Sequence, residues 1–188
     1  MTTPAIIIGV IYALALTTSI VPWAVGLEPK GESTPSRQVL VALVFAATQA
    51  LMAFVGYLLG KMVGYLFGDL LQYVTFGMML IVSVKMLIDS MKVLKGKRLY
   101  SFTSNWGFLL LGIISGMNTL LMSVCCEGYM PFGNWYFLAL AVAGFLWSWL
   151  SVRTLYTPKM LRNTSFIEFS GAVFMGVVAI LFLFTELI

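Results

Sequence analysis

The sequence predicts an all-α membrane protein of six transmembrane helices, and three observations carry that prediction. Of its 188 residues, 61% are hydrophobic and only 10% are charged, whereas a soluble domain carries roughly a quarter charged residues. The mean hydropathy of +0.99 therefore points to lipid as the main solvent. The apolar residues also come in long runs rather than alternating stretches of about ten, which decides for helices over a closed barrel.

A helix needs about 20 apolar residues to cross the hydrocarbon core. The first span covers 5–27 and ends at Glu28, Pro29, Lys30 and Gly31. Met1 to Pro4 carries no base, so the basic start of a cleavable signal peptide is missing and the segment reads as a retained helix. A polar, proline-punctuated link follows over 28–36. The second span covers 39–60, and the apolar pattern continues past it around Lys61, whose stem can snorkel to the headgroups. The third covers 70–91 and runs into the bases Lys92, Lys95, Lys97 and Arg98. The remaining spans cover 106–126, 135–152 and 166–188, all within one transmembrane domain, 1–188. Trp106, Trp135, Tyr136 and Trp149 fall near span ends, where aromatic belts form.

Six crossings sort the bases. One side receives Lys30, Arg37, Lys92, Lys95, Lys97, Arg98, Arg153, Lys159 and Arg162, and the other only Lys61. The positive-inside rule then places both termini outside. One helix more or fewer destroys the segregation. Three spans per half enter the membrane in opposite directions, the inverted-repeat layout of secondary transporters. The net charge of +4 is thus a topology signal, so the expected partner is the lipid bilayer and not nucleic acid. Monomer and homo-oligomer are both compatible with the sequence.

Gly56, Gly60, Gly64 and Gly68 recur every four residues on one helical face, and Gly112 and Gly116 repeat the step. Such a stripe serves either as a sliding, pore-lining face or as tight static packing.

Polar side chains at membrane depth are costly and face the bundle interior or a wet path. Thr17, Thr18 and Ser19 precede Pro22. Their hydroxyls either satisfy carbonyls that the proline frees or bond back to their own helix. Gln49 in the second span and Asn118 in the fourth could meet across the bundle, to coordinate a substrate or as interhelical glue. Ser115, Asn118, Thr119 and Met122 share one helical face. Lys85 and Asp89, four apart, can pair along the third span near its cytoplasmic end. Glu168 opens the last span, where a carboxylate suits the positive end of the helix dipole.

Catalytic chemistry finds little to work with. Histidine is absent, so the usual general base is missing, and no Walker loop or Ser-His-Asp set occurs. The adjacent thiols Cys125 and Cys126 with Glu127 point in different helical directions and make a poor metal site. An enzyme is not expected, nor is a cofactor.

The stretch 43–51, with Thr48 and Gln49, leading to Gly56-Tyr57-Leu58-Leu59-Gly60, resembles the second helix of the MntP-type manganese efflux pumps. The segment 79–89, ending Lys85-Met86-Leu87-Ile88-Asp89, resembles their third helix, and Glu168-Phe169-Ser170-Gly171 is similar to the start of their last. The resemblance implies a small LysE-like exporter of two inverted three-helix halves in the bacterial inner membrane. It also implies a manganese path lined by acids in the first, second and fourth helices. At the matching positions this chain has Gln49 for a glutamate and Asn118 for an aspartate, and no acid over 15–19. Gln49 and Asn118 are by position the candidate metal contacts, but Mn²⁺ favours carboxylate oxygens, so a weaker preference for divalent ions or a different small solute is expected here.

The expected substrate path is Thr17, Thr18, Gln49, Asn118 and Thr119, with Lys85, Asp89 and Glu168 as charged groups toward the cytoplasm. The alternative is a non-transporting scaffold or partner subunit that keeps the fold, in which Gln49 and Asn118 are satisfied by their neighbours.

Overall fold

A computed structural model describes residues 3–25, 35–95, 105–124, 135–153 and 158–186, and every regular element among them is helical. The first apolar run is not one helix. Helix α1 (Thr3–Thr17) gives way to a 3₁₀ turn at Thr18–Ile20 and then to the short α2 (Val21–Ala24). Pro22 sits in the first turn of α2. It has no N–H for the Thr18 carbonyl, which the Val21 N–H reaches instead through the tighter turn. The hydroxyls bond back to their own helix: Thr17 to the Ala13 carbonyl at 2.7 Å, Thr18 to that of Ala15 at 2.7 Å, Ser19 to that of Leu16 at 3.3 Å.

Helix α3 (Pro35–Phe67) has 33 residues, about 50 Å at 1.5 Å per residue, and outruns the expected 39–60 at both ends. Pro35 suits a first turn, where its missing N–H has no helical partner to lose. Gly68 ends the helix at φ +47, a left-handed position glycine takes without strain. A 3₁₀ turn at Gly68–Leu70 leads directly into α4 (Leu71–Leu94). Helices α5 (Asn105–Val124) and α6 (Trp135–Val152) lie close to the expected spans. Helix α7 (Pro158–Glu186) starts eight residues before the expected 166. Hydropathy marks only the lipid-embedded part of a helix, and 158–165 is polar but free of helix breakers after Pro158.

That early start corrects the reading of Glu168. It lies nearly three turns inside α7, too far for the terminal dipole, which acts within the first turn. Its side chain is fully buried.

Among the described residues five helices are long and apolar enough to cross a membrane, and the N-terminal apolar helix is shorter. Helices α3 and α5 run parallel in a fixed register. Thr48 faces Gly112, Met52 faces Gly116, Gly56 faces Leu120, and Gly60 faces Val124. A Cβ on Gly60 would lie 2.3 Å from the Val124 carbonyl oxygen, so the glycine is what admits the neighbouring backbone. Gly56 and Gly60 of the glycine stripe are thus close-packing positions of the α3–α5 seam, while a Cβ on Gly68 would meet nothing within 4 Å. Helix α6 packs antiparallel on α3, with Ser148 3.5 Å from the Ala42 carbonyl at one end and the Phe137 ring edge-on to Phe54 and Tyr57 at the other. Helix α7 packs antiparallel on α4, where Ser83 donates to the Ala172 carbonyl and Ser165 to that of Ser90, both at 2.8 Å.

These directions gather Arg37, Lys92, Lys95, Arg153, Lys159 and Arg162 at one end of the bundle and leave Lys61 toward the other. The outer faces carry exposed Leu43, Leu51, Phe54 and Leu58 on α3 and Ile81, Val84 and Ile88 on α4, a surface suited to lipid rather than water. Trp106 and Trp135 are exposed at helix starts, as belt residues are. Tyr136 is not a belt residue: it is buried, and its hydroxyl lies 3.1 Å from that of Ser123.

Candidate substrate path

Gln49 lies on the face of α3 covered by α5 and α6. The Thr119 hydroxyl donates to its Oε1 at 2.5 Å, and its Nε2 donates to the Ser115 hydroxyl at 3.4 Å. Ser115 in turn donates to the Gly112 carbonyl at 2.9 Å. Gly144 of α6 lets that helix close on the amide's stem, since a Cβ there would lie 3.0 Å from Gln49 Cγ. Gln49 is therefore enclosed and bonded at both ends of its amide.

Asn118 and Thr119 are neighbours on α5, and successive helical positions point about 100° apart. Thr119 faces α3, whereas Asn118 faces α4. Lys85 Nζ donates a short hydrogen bond to Asn118 Oδ1. The two amides thus do not bond each other; each is held by its own partners. Lys85 also pairs with Asp89, Nζ to Oδ2 3.6 Å, while Lys92 Nζ stands 3.4 Å from Asp89 Oδ1. Asp89 is buried, its side chain 5% exposed, between two half-exposed lysines. It is more enclosed than a plain interfacial salt bridge.

A cavity of about 230 Å³ opens beside this ion pair, with Ser19, Trp23, Lys85, Asp89, Ser115 and Asn118 on its walls. Of the five residues expected along the path, Asn118 alone is on these walls. Thr17 and Thr18 are buried against their own helix, and Thr18 is the residue that Gly171 of α7 accommodates. Glu168 lies one turn before Gly171 on α7. Ser19 and Ser115, polar residues of the first and fourth spans outside the expected path, are wall residues, and Trp23 joins them without any polar signal in the sequence. Lys92, expected only as a topology base, also pairs with Asp89 three residues before it, a spacing visible in the sequence. Cys125, Cys126 and Glu127 lie outside the described residues. Among the described residues no three of His, Cys, Asp and Glu converge on a metal position.

A family model described as "Putative manganese efflux pump" matches residues 32–185. The chain belongs to the MntP family. No curated protein and no solved structure matches it. The MntP match runs from the link before α3 to the end of α7, so it contains Gln49, Lys85, Asp89, Asn118, Thr119 and Glu168. Thr17 and Thr18 precede the matched MntP region.

Proposed function

We propose that this MntP-family chain is a membrane transporter that exports a small cation, manganese by family, across a bacterial inner membrane. The observation that carries the reading is the cavity between α4, α5 and the segment 18–24 in a chain of this family, where Asp89, Asn118, Ser115 and Ser19 stand among the apolar wall residues Ile114, Met117 and Leu121. Its volume admits a cation with about half a dozen waters, each of which occupies roughly 30 Å³. Asp89 supplies the carboxylate, and Asn118, Ser115 and Ser19 supply neutral oxygens, the ligand types Mn²⁺ takes.

The path crosses six spans, with α1 and α2 together forming the first and both termini outside. The gathering of bases at one end supports that orientation. Two inverted halves, each of three spans, are supported by the contact pattern. Helix α3 packs on α5 as the first span packs on α6, while α3–α6 and α4–α7 pair across the middle. A two-fold exchange of the halves gives that set of pairs. The reaction is translocation, not covalent chemistry, and no resident cofactor takes part. Lipid and cargo are the partners, and the exposed apolar faces leave a homo-oligomer open.

A second reading is favoured by a specific observation. Gln49 is bonded at both ends of its amide, as expected of a scaffold or partner subunit that no longer transports. One experiment separates the two: manganese accumulation and survival under manganese stress in cells lacking their own exporter. Lower cellular manganese and restored growth support export. No change, with the protein present in the membrane, supports the scaffold or a different cargo.

A further inference from the structure

A cation already stands at the polar side of this cavity, and it belongs to the protein. The Lys85 ammonium reaches the Asn118 carbonyl oxygen and the Asp89 carboxylate together. Among the described walls these are the strongest cation ligands, one an anion and the other an amide oxygen. Lys92 holds the other carboxylate oxygen of Asp89. Two ammonium groups therefore face one carboxylate, and the local charge is unfavourable for a divalent ion as the side chains stand.

The lysine has somewhere to go. A shallow, open groove runs along the outer side of α4 over Leu80, Ile81, Val84 and Ile88, and it shares Lys85 and Asp89 with the inner cavity. These two side chains therefore stand where the groove and the cavity meet. The Lys85 side chain is 41% exposed. Its four-carbon stem is flexible and suits apolar walls while the ammonium turns elsewhere.

We propose that the Lys85 ammonium is a resident cation that competes with the cargo for Asn118 and Asp89, which makes Lys85 the residue that sets how tightly a divalent cation is held. This rests on the divalent-cation reading above. Cargo enters as Lys85 swings out along the outer groove with its ammonium toward the headgroups, and the lysine returns as cargo departs, so in the empty carrier an ammonium always bridges Asn118 and Asp89. An internal ammonium that competes with the cargo discharges the site after each cycle without a second ion.

The test is Mn²⁺ binding to the purified protein in detergent, read by the electron paramagnetic resonance signal of free Mn²⁺. Four forms are compared: wild type, Lys85→Met, Lys85→Gln and Lys85→Arg. Removing a positive charge within a few ångströms of the site raises affinity for a divalent ion by at least about tenfold in Lys85→Met and Lys85→Gln. Lys85→Arg keeps the charge and stays as weak as wild type. A structural role alone predicts the reverse ranking, with arginine closest to native and the neutral variants impaired. Two neutral variants guard against one failing to fold. Equal affinity across the four forms overturns the competition, as does absence of binding in the neutral variants. The manganese-export reading is judged separately, by accumulation in cells expressing wild type.

Discussion

Thr119 and Gln49 are 70 residues apart in sequence, and the Thr119 hydroxyl donates to the Gln49 amide oxygen, oxygen to oxygen 2.5 Å, inside the α3–α5 seam. The bond ties α5 to α3 where Gly112, Gly116 and Gly144 have already drawn the helices together. Replacing Gln49 by alanine removes two interhelical bonds and opens a cavity under Gly144. Bonds of this kind are worth about 0.6 kcal/mol each in membrane bundles, and the cavity adds to that. The expected loss is about 1–3 kcal/mol, read as a lower melting temperature in detergent, with the protein still inserted.

Asn118→Ala separates transport from stability. Asn118 bonds only to Lys85 among the described residues, so its truncation loosens a cavity wall without unlocking the α3–α5 seam. Transport of the cargo is expected to fall to background, while melting temperature drops by less than in Gln49→Ala. Cellular manganese and a melting curve on the same variant check both halves. Full transport by Asn118→Ala would remove this residue from the path.

The glycines give opposite signs at two positions. A Cβ at Gly60 would collide with the Val124 backbone at 2.3 Å, and neither backbone can move without breaking the register of the seam. Gly60→Ala is expected to destabilise by about 1–3 kcal/mol. A Cβ at Gly77 of α4 meets nothing within 4 Å. There alanine brings only its better helix propensity, a gain of up to about 1 kcal/mol. Melting of the two variants beside wild type decides, and a tolerated Gly60→Ala would favour a sliding seam over a static one.

Much of this architecture could be read from the residues, and what could not has identifiable causes. The span 135–152 coincides with α6 because Trp135 and Arg153 punctuate it on either side. Helices α3 and α7 extend past their hydropathy windows because a helix continues into water where its side chains turn polar. The polar residues were found, but not their pairing. Asn118 and Thr119 look equivalent as letters, yet the turn between them sends one to Lys85 and the other to Gln49. Nothing in a single sequence fixes the rotation of α5 against α3 and α4. The Lys85–Asp89 pair is local to one helix, and its spacing announced it.

The orientation prediction is tested with single cysteines in a chain whose Cys125 and Cys126 are replaced by serine. Six described bases gather at one end and Lys61 lies toward the other. With both termini outside, Lys61→Cys in intact cells reacts with a membrane-impermeant maleimide, and Lys95→Cys reacts only after lysis. The opposite labelling pattern would invert the protein and turn the proposed export path around.

Placing acids at the two amides tests what carboxylates there do to cargo. Gln49→Glu keeps the oxygen that Thr119 donates to, and Ser115 can turn its hydroxyl from the Gly112 carbonyl to the second carboxylate oxygen. The geometry survives, but a buried charge arrives without a partner, so melting temperature falls in metal-free buffer. A ligand that binds only the folded state raises it again in proportion to occupancy. Millimolar Mn²⁺ is therefore expected to shift the melting of Gln49→Glu upward by more than it shifts wild type. Asn118→Asp behaves differently, because the new carboxylate faces Lys85 and is neutralised by it; its shift grows only when combined with Lys85→Met. Equal shifts in all of these proteins would mean that divalent cations do not enter this part of the bundle.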